Sequence, residues 1–310
     1  MPVARQNTAT RTPIMKWRVP GGPYFYAPVK RFPGDVYFVQ STSTTGGDTA
    51  GHGRTPEEPF LTLEYAMSQT TANRGDVIYL MPGHVELVAA AGALAMDSAG
   101  VTVIGCGNGT IQPIIRFTLA AADMNVTAAN ITMENINFQA GVADVLIAIH
   151  ITAADFTIRK SRFTQQAVDL NAIVWIIDDG AAAADNITVE DCFVYAPDAV
   201  NDAFIRLTGT GDGHVIRRNV LIGDWDNLAC IGGAGVVTHC NISDNYIYNT
   251  NTTANSCISM AATATGVCMN NMVTNGHATD KIVATGMAKC YNYAAVIGED
   301  LNGIPEPAMA

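Results

Sequence analysis

Helical periodicity is what this chain most lacks. Across residues 131–273 no gap between strand-like runs leaves room for the ten or more periodic residues that a typical helix needs. No run of about eighteen apolar residues occurs either, so no helix spans a membrane and a membrane is not an expected partner. The seven cysteines include no CxxC pair, which removes the usual zinc and dithiol motifs. No glycine-rich phosphate loop leads into a helix, because Gly105-Cys-Gly-Asn-Gly109 lies between strands. Charge is sparse at 15 % of residues, and the net value of −11 argues against nucleic acid as the main partner. The opening Met1-Pro-Val-Ala-Arg-Gln-Asn has no apolar h-region, so a protein without a signal peptide, assembled in the cytoplasm, is expected.

What the chain has instead is repetition. Six segments align: Ile131–Phe138, Phe156–Phe163, Ile187–Val194, His214–Leu221, Cys240–Ile247 and Gly266–Val273. Their third residues, Met133, Ile158, Val189, Ile216, Ile242 and Cys268, are separated by 25, 31, 27, 26 and 26 residues. Each segment alternates apolar and polar, breaks for two polar residues, and alternates again, which reads as strand, tight corner, strand. A second column, Ile147, Ile173, Ile205, Ile231, Ile258 and Ile282, lies midway between the first, with its one long step in the same repeat. A period near 26 residues that is filled by strands is one turn of a coiled parallel sheet. The fold expected is all-β, a right-handed parallel β-helix with a short N-terminal capping helix and an extended N-terminal arm.

Four regions follow. Residues 1–34 hold six cations and no acid, so a total of −11 less +6 leaves −17 on the rest. This arm also holds six prolines, which stiffen extended chain. Its Trp17, Arg18, Tyr24, Phe25, Tyr26 and Arg31 read as anchors that become buried against another subunit. Residues 35–98 read as a strand–helix–strand cap, with Thr62 as N-cap of a helix presenting Leu63, Ala66 and Met67 and ending near Arg74-Gly75. Residues 99–298 form the solenoid and 299–310 a coil tail. Cys230 and Cys257 occupy equivalent places in successive repeats and are expected to stack as free thiols.

The runs Asp35-Val-Tyr-Phe-Val39, Gly46-Gly-Asp48, Pro56-Glu-Glu-Pro-Phe60, Thr62-Leu63, Ala66, Gly75-Asp-Val-Ile-Tyr79 and Pro82-Gly-His84 resemble the opening of pectate-lyase-like β-helix proteins, in particular those of tailed phages. Ala99-Gly-Val-Thr-Val-Ile-Gly105 and residues 127–138 are similar to uncharacterised phage virion proteins of that group. The resemblance spans about residues 35–290. It implies the fold and the cap, and it implies a homotrimer with parallel axes. The fold hosts lyases, hydrolases, adhesins and inert shells, so function rests on sites.

Aligned repeats expose polar columns. Asn219, Asn245 and Asn271 share one position after the corner and read as an amide ladder. The corner columns run Glu134, Arg159, Glu190, Arg217 and Asn135, Lys160, Asp191, Arg218, Asp244, Asn270. Signs alternate where residues are charged, so each charge is expected to face opposite charges above and below. A lyase-like acidic site at Asp191, Arg218 and Asp244 is the sharper and less economical reading. The fallback catalytic cluster is Asp178, Asp179, His214 and Arg218, since glycoside hydrolysis needs paired carboxyls. It resembles fragments of polygalacturonase-like hydrolases but lacks their preceding Asn-Thr-Asp, and its spacing is wrong. The six histidines are scattered, so no metal or other cofactor is expected. The function expected is a phage virion structural protein rather than an enzyme, a capsid decoration or cement protein bound to other virion proteins such as the major capsid protein. The alternative is a tailspike-like protein that binds or cleaves surface polysaccharide.

Overall fold

The computed structural model describes residues 34–178, 180, 184–226, 229–252, 256–276, 281–296 and 304–305, and the backbone of strands Ile14–Arg18 and Tyr24–Pro28. Within these residues the chain winds three parallel sheets around one core. The first sheet stacks Tyr37, Ile78, Val103, Met133, Ile158, Val189, Ile216, Ile242 and Cys268 in register, all buried. The expected column is therefore the inner column of a real sheet. Each buried isoleucine contributes roughly 1.5–3 kcal/mol, and a polar side chain at any rung would break the stack.

The break within each repeat is a corner one residue wide. Asn135, Lys160, Asp191, Arg218, Asp244, Asn270 and Tyr291 all adopt left-handed backbone, with φ between 51° and 59°. That conformation turns the chain from the first sheet into the second without a loop. It costs an L-residue other than Asn or Asp roughly 1–2 kcal/mol, so Lys160, Arg218 and Tyr291 need compensation elsewhere.

The third sheet corrects the second column. Ile205, Ile231, Ile258 and Ile282 stack as expected, but the rungs before them are Ile149 and Ile176, not Ile147 and Ile173. Ile147 is half-buried and pairs with Val174. Strands Val145–Ile151 and Ala172–Asp178 are seven residues long and nearly continuously apolar, so more than one frame satisfies the sequence pattern.

At the N-terminal end, helix Leu63–Ser68 buries Leu63, Ala66 and Met67, and the Thr62 hydroxyl accepts from Tyr65 N–H at 3.2 Å. The helix stops earlier than expected, because Thr70 turns its hydroxyl back onto Met67 O at 2.7 Å. Coiling also begins before residue 99: Val77–Leu80, Val85–Val88 and Leu94–Met96 are the first three-strand turn. Two further differences concern the ends. Residues 304–305 pair antiparallel with Tyr293 and Ala294, so the tail closes the second sheet rather than leaving as coil. The arm is not extended throughout: Ile14–Arg18 and Tyr24–Pro28 form an antiparallel hairpin, Trp17 opposite Phe25 and Arg18 opposite Tyr24. A proline at residue 28 fits there, because it stands at the end of an edge strand.

Candidate functional site

Three of the four fallback catalytic residues, Asp178, His214 and Arg218, make contacts that hold the solenoid. Asp178 is buried, and its carboxylate accepts from the N–H of Thr208, from the Thr208 hydroxyl at 3.0 Å and from Gly209 N–H at 3.1 Å. Both oxygens are occupied, since Oδ2 also takes Gly209 N–H at 3.3 Å. His214 is buried just ahead of a first-sheet strand, where Nδ1 accepts Ile187 N–H at 3.2 Å and so leaves the proton on Nε2. Burial lowers its pKa against the pull of Asp178, Asp185 and Asp212, which keeps the ring neutral. Arg218 stands at the outer corner, with Nε on Asp191 at 2.7 Å and a second nitrogen on Glu190 at 2.8 Å. Asp179 and Arg31 lie outside the described residues. Asp178, the cluster's one described carboxyl, is fully engaged, and among the described residues no group of three His, Cys, Asp or Glu side chains is placed to hold a metal ion.

The amide ladder is present and longer than the sequence column. Asn219 Nδ2 donates to Asn245 Oδ1, Asn245 to Asn271 and Asn271 to Asn292, each at 3.0 Å. Each amide also donates to a carbonyl on the preceding coil, on Val189, Ile216, Ile242 and Cys268. Asn292 escaped sequence analysis because its step is 21 residues rather than 26. Asn249 and Asn275, paired at the next corner, were missed as well; Asn249 Oδ1 accepts Trp225 N–H at 3.1 Å.

The charge columns hold as two separate blocks. Glu134 takes Arg159 at 2.9 Å and Lys160 at 2.8 Å, and Glu190 takes Arg217 at 2.9 Å. Every ion-paired cation reaches back to the preceding coil and none forward, so the direct pairs run one way, while Asp191 also feels Lys160 on the coil before it as well as Arg218 and Arg217 on the coil after. Asp244 makes no ion pair among the described residues, and its expected place in the ladder is lost. Burial acts to raise the Glu134 pKa, but the Lys160 hydrogen bond and both cations outweigh it and hold the group below its ordinary 4.5. Arg218 holds Asp191 below its ordinary 3.8.

One buried cluster, around His84 and Glu86, was not read from sequence. His84 Nδ1 accepts Ser41 N–H at 3.0 Å, and its Nε2 meets Glu86 Oε2 at 3.1 Å. Glu86 Oε2 also takes the N–H of Leu63 at 2.8 Å, which ties the capping helix to the first coil. Cys230 and Cys257 are free and buried, and burial pushes the Cys257 thiol up to about 12, so neither is a ready nucleophile.

The outer face of the second sheet changes character along the axis. In earlier coils it carries Arg116, Gln139, Asn137, Arg162 and Thr164 after the apolar Val85, Leu87 and Ile114 of the first coils, with Arg116 donating to Gln139 at 2.8 Å and Thr164 to Asn137 at 2.9 Å. From the next coil the register aligns Phe193, Val220, Tyr246, Met272 and Tyr293. Beside them run Tyr195, Ile222 and Tyr248. Arg162 marks the boundary, with its guanidinium 4.8 Å from the Phe193 ring centre. A flat strip of aromatic and aliphatic side chains has the composition of a docking surface, not of a catalytic groove.

No protein-family model matches the chain, and no curated protein does. Among solved structures it is similar to a rhamnogalacturonan lyase, at 15 % identity and a TM-score of 0.43, covering 88 % of this chain and 65 % of that one. It is also similar to a pectin methylesterase from Aspergillus niger, at 15 % identity and a TM-score of 0.40, covering 91 % and 94 %. The chain thus spans about 65 % of the length of the lyase. At 15 % identity the likeness is one of fold.

Proposed function

We propose that this chain is a structural protein of a tailed-phage virion, a capsid decoration or cement protein anchored by its N-terminal arm and assembled in the host cytoplasm. One observation carries the reading. An arm of six cations and no acid includes a hairpin, and it is joined to an acidic solenoid whose corner charges, apart from Asp244, pair with one another. Opposite charge steers such an arm toward acidic neighbours, and its aromatics provide anchors once contact is made. The partners are further copies of the chain, as a homotrimer, and other virion proteins such as the major capsid protein. The phage context rests on the resemblance of residues 35–290 to phage β-helices.

Removal of residues 1–34 tests the proposal. The shortened protein is expected to stay folded and soluble and to lose attachment to particles. Full occupancy without the arm overturns it. Turnover or binding of host surface polysaccharide by the intact chain would favour the tailspike-like reading instead, and Asp178→Asn is the control for hydrolysis.

A further inference from the structure

Outward positions of a solvated sheet are ordinarily polar. In the second sheet that rule fails from Phe193 onward. Tyr195, Val220, Tyr246 and Met272 are 48 %, 37 %, 37 % and 52 % exposed, with Ile222 and Tyr248 half-buried between them. Neither outward column holds a charge from Phe193 to Thr274. The strip runs about 19 Å along the axis over four strand steps, and its two columns lie about 7 Å apart. Asp224 is the next outward position after Ile222 on strand Val220–Trp225. Burial and the charges of Asp202 and Asp224 together push Asp226 up, so acids crowd this edge of the strip.

We propose that this strip is the receptor for the N-terminal hairpin of a second copy of the chain. Size is the first argument: two five-residue strands at about 3.4 Å per residue make a hairpin about 17 Å long, close to the length of the strip. Pattern is the second. The register places Met15, Trp17, Phe25 and Ala27 on one face of the hairpin, all apolar, and Ile14, Lys16, Arg18, Tyr24, Tyr26 and Pro28 on the other, so the hairpin's cations fall on one face only. A two-stranded hairpin is marginal in water unless such a face is covered. Charge is the third, because the cations flanking the apolar positions match the acidic edge formed by Asp202, Asp224 and Asp226.

Reach selects a second copy over the hairpin's own body. Residues 29–33 span at most about 17 Å, whereas the strip begins five coils, about 24 Å, beyond the strand that follows the arm. A chain's own hairpin covers only the near end. The arm of a second copy whose coils are not level with these starts from a different height and covers the whole strip. The inference rests on reading residues 1–34 as a docking arm, and it does not depend on the virion context.

The test uses the full-length chain in solution. Sedimentation mass at micromolar concentration and the rate of tryptic cleavage after Lys16 and Arg18 are compared between the parent and a Tyr246→Lys, Met272→Lys double variant. Leu87→Lys, at an exposed apolar site on the earlier part of the same sheet, is the control. The parent is expected to sediment as a multiple of 32.8 kDa with a protected arm. The double variant is expected at 32.8 kDa with cleavage accelerated at least about tenfold, and Leu87→Lys as the parent. Trp17→Ser with Phe25→Ser, which leaves the solenoid untouched, must reproduce the loss of mass and so excludes misfolding as its cause. A double variant that keeps the parent's mass and protection overturns the proposal. So does a parent that is monomeric, whether its arm is protected by its own body or freely cut. If arm removal abolishes particle attachment while the double variant is unchanged in mass and cleavage, anchoring stands and this receptor falls. Loss of mass in the double variant with no particle binding by the parent gives the reverse.

Discussion

The corners of coils 131–218 and of coils 219–292 solve one problem in two ways. Both halves turn through a single left-handed residue, and both must find partners for the backbone groups that the turn strands inside. In the earlier half the inner corner positions are Ile136, Ser161 and Cys192, and Ser161 Oγ supplies one acceptor, to Ile136 N–H at 3.2 Å. Register there is reinforced from outside, by Glu134 with Arg159 and Lys160 and by Glu190 and Asp191 with Arg217 and Arg218. In the later half a buried amide on every coil supplies both donor and acceptor, from Asn219 to Asn292. The outer corner then carries Ser243, Asp244, Met269 and Asn270, with no ion pair among the described residues. The second sheet, apolar from Phe193 in the last part of the earlier half, stays so through these coils.

The core does not share in this contrast, and that is the largest expected effect. Ile158→Asp in the earlier half and Ile242→Asp in the later half each bury an unpaired carboxyl, and each should cost roughly 4 kcal/mol or more. Urea unfolding of both variants checks this. If one is tolerated while the other is not, the halves differ in more than their corners.

Breaking the ladder comes next. Asn245→Leu strands the N–H of Asn219 and the carbonyl of Ile216 in the interior, so a loss of about 3 kcal/mol is expected from chemical denaturation. The loss should not change with salt, because no net charge is involved. A strongly salt-dependent loss would dissolve the distinction between the two corners.

Reversing a corner charge should do less and respond to salt. Asp191→Lys places a cation between Lys160 and Arg218, and a loss of about 1 kcal/mol at low ionic strength, shrinking as salt is added, is expected. Acid probes the same block. Glu134 and Asp191 titrate below their ordinary 4.5 and 3.8 in the folded protein. Their contribution is therefore complete above those values and fades as pH falls through the lower folded ones. Amide exchange, corrected for its intrinsic pH dependence, should stay level above the ordinary 4.5, accelerate around Lys160 and Arg218 as pH falls below it, and stay level throughout around Asn245.

The smallest effect sharpens the boundary. Asp244 has the residue type and position of a ladder member but no ionic partner, so Asp244→Asn should shift stability by less than about 0.5 kcal/mol at any salt. Asparagine also accepts the left-handed backbone at that corner. A loss matching that of Asp191→Lys would extend the charge block one coil further than the geometry allows.

Much of this molecule was written along the chain. The six rungs from Met133 to Cys268, the corner at Lys160 and Arg218, the Asn219–Asn271 column and the helix capped by Thr62 could be read directly, because parallel in-register stacking turns sequence period into spatial register. Whatever departs from the period could not. The frame of Ile149 and Ile176 was chosen by pairing between two long apolar strands that fit in more than one register. Asn292 joined the ladder from a shortened coil, Asp178 found its partners in a loop thirty residues away, and the arm folded on itself where its prolines suggested an extended strap. The sequence alone determined the period, the core column and the capping helix, since each depends on local pattern repeated at one spacing. The tertiary structure alone decided the directions of the ion pairs, the occupation of Asp178 and His214 and the apolar strip, since each depends on which groups packing brings to the same place and which it leaves without a neighbour.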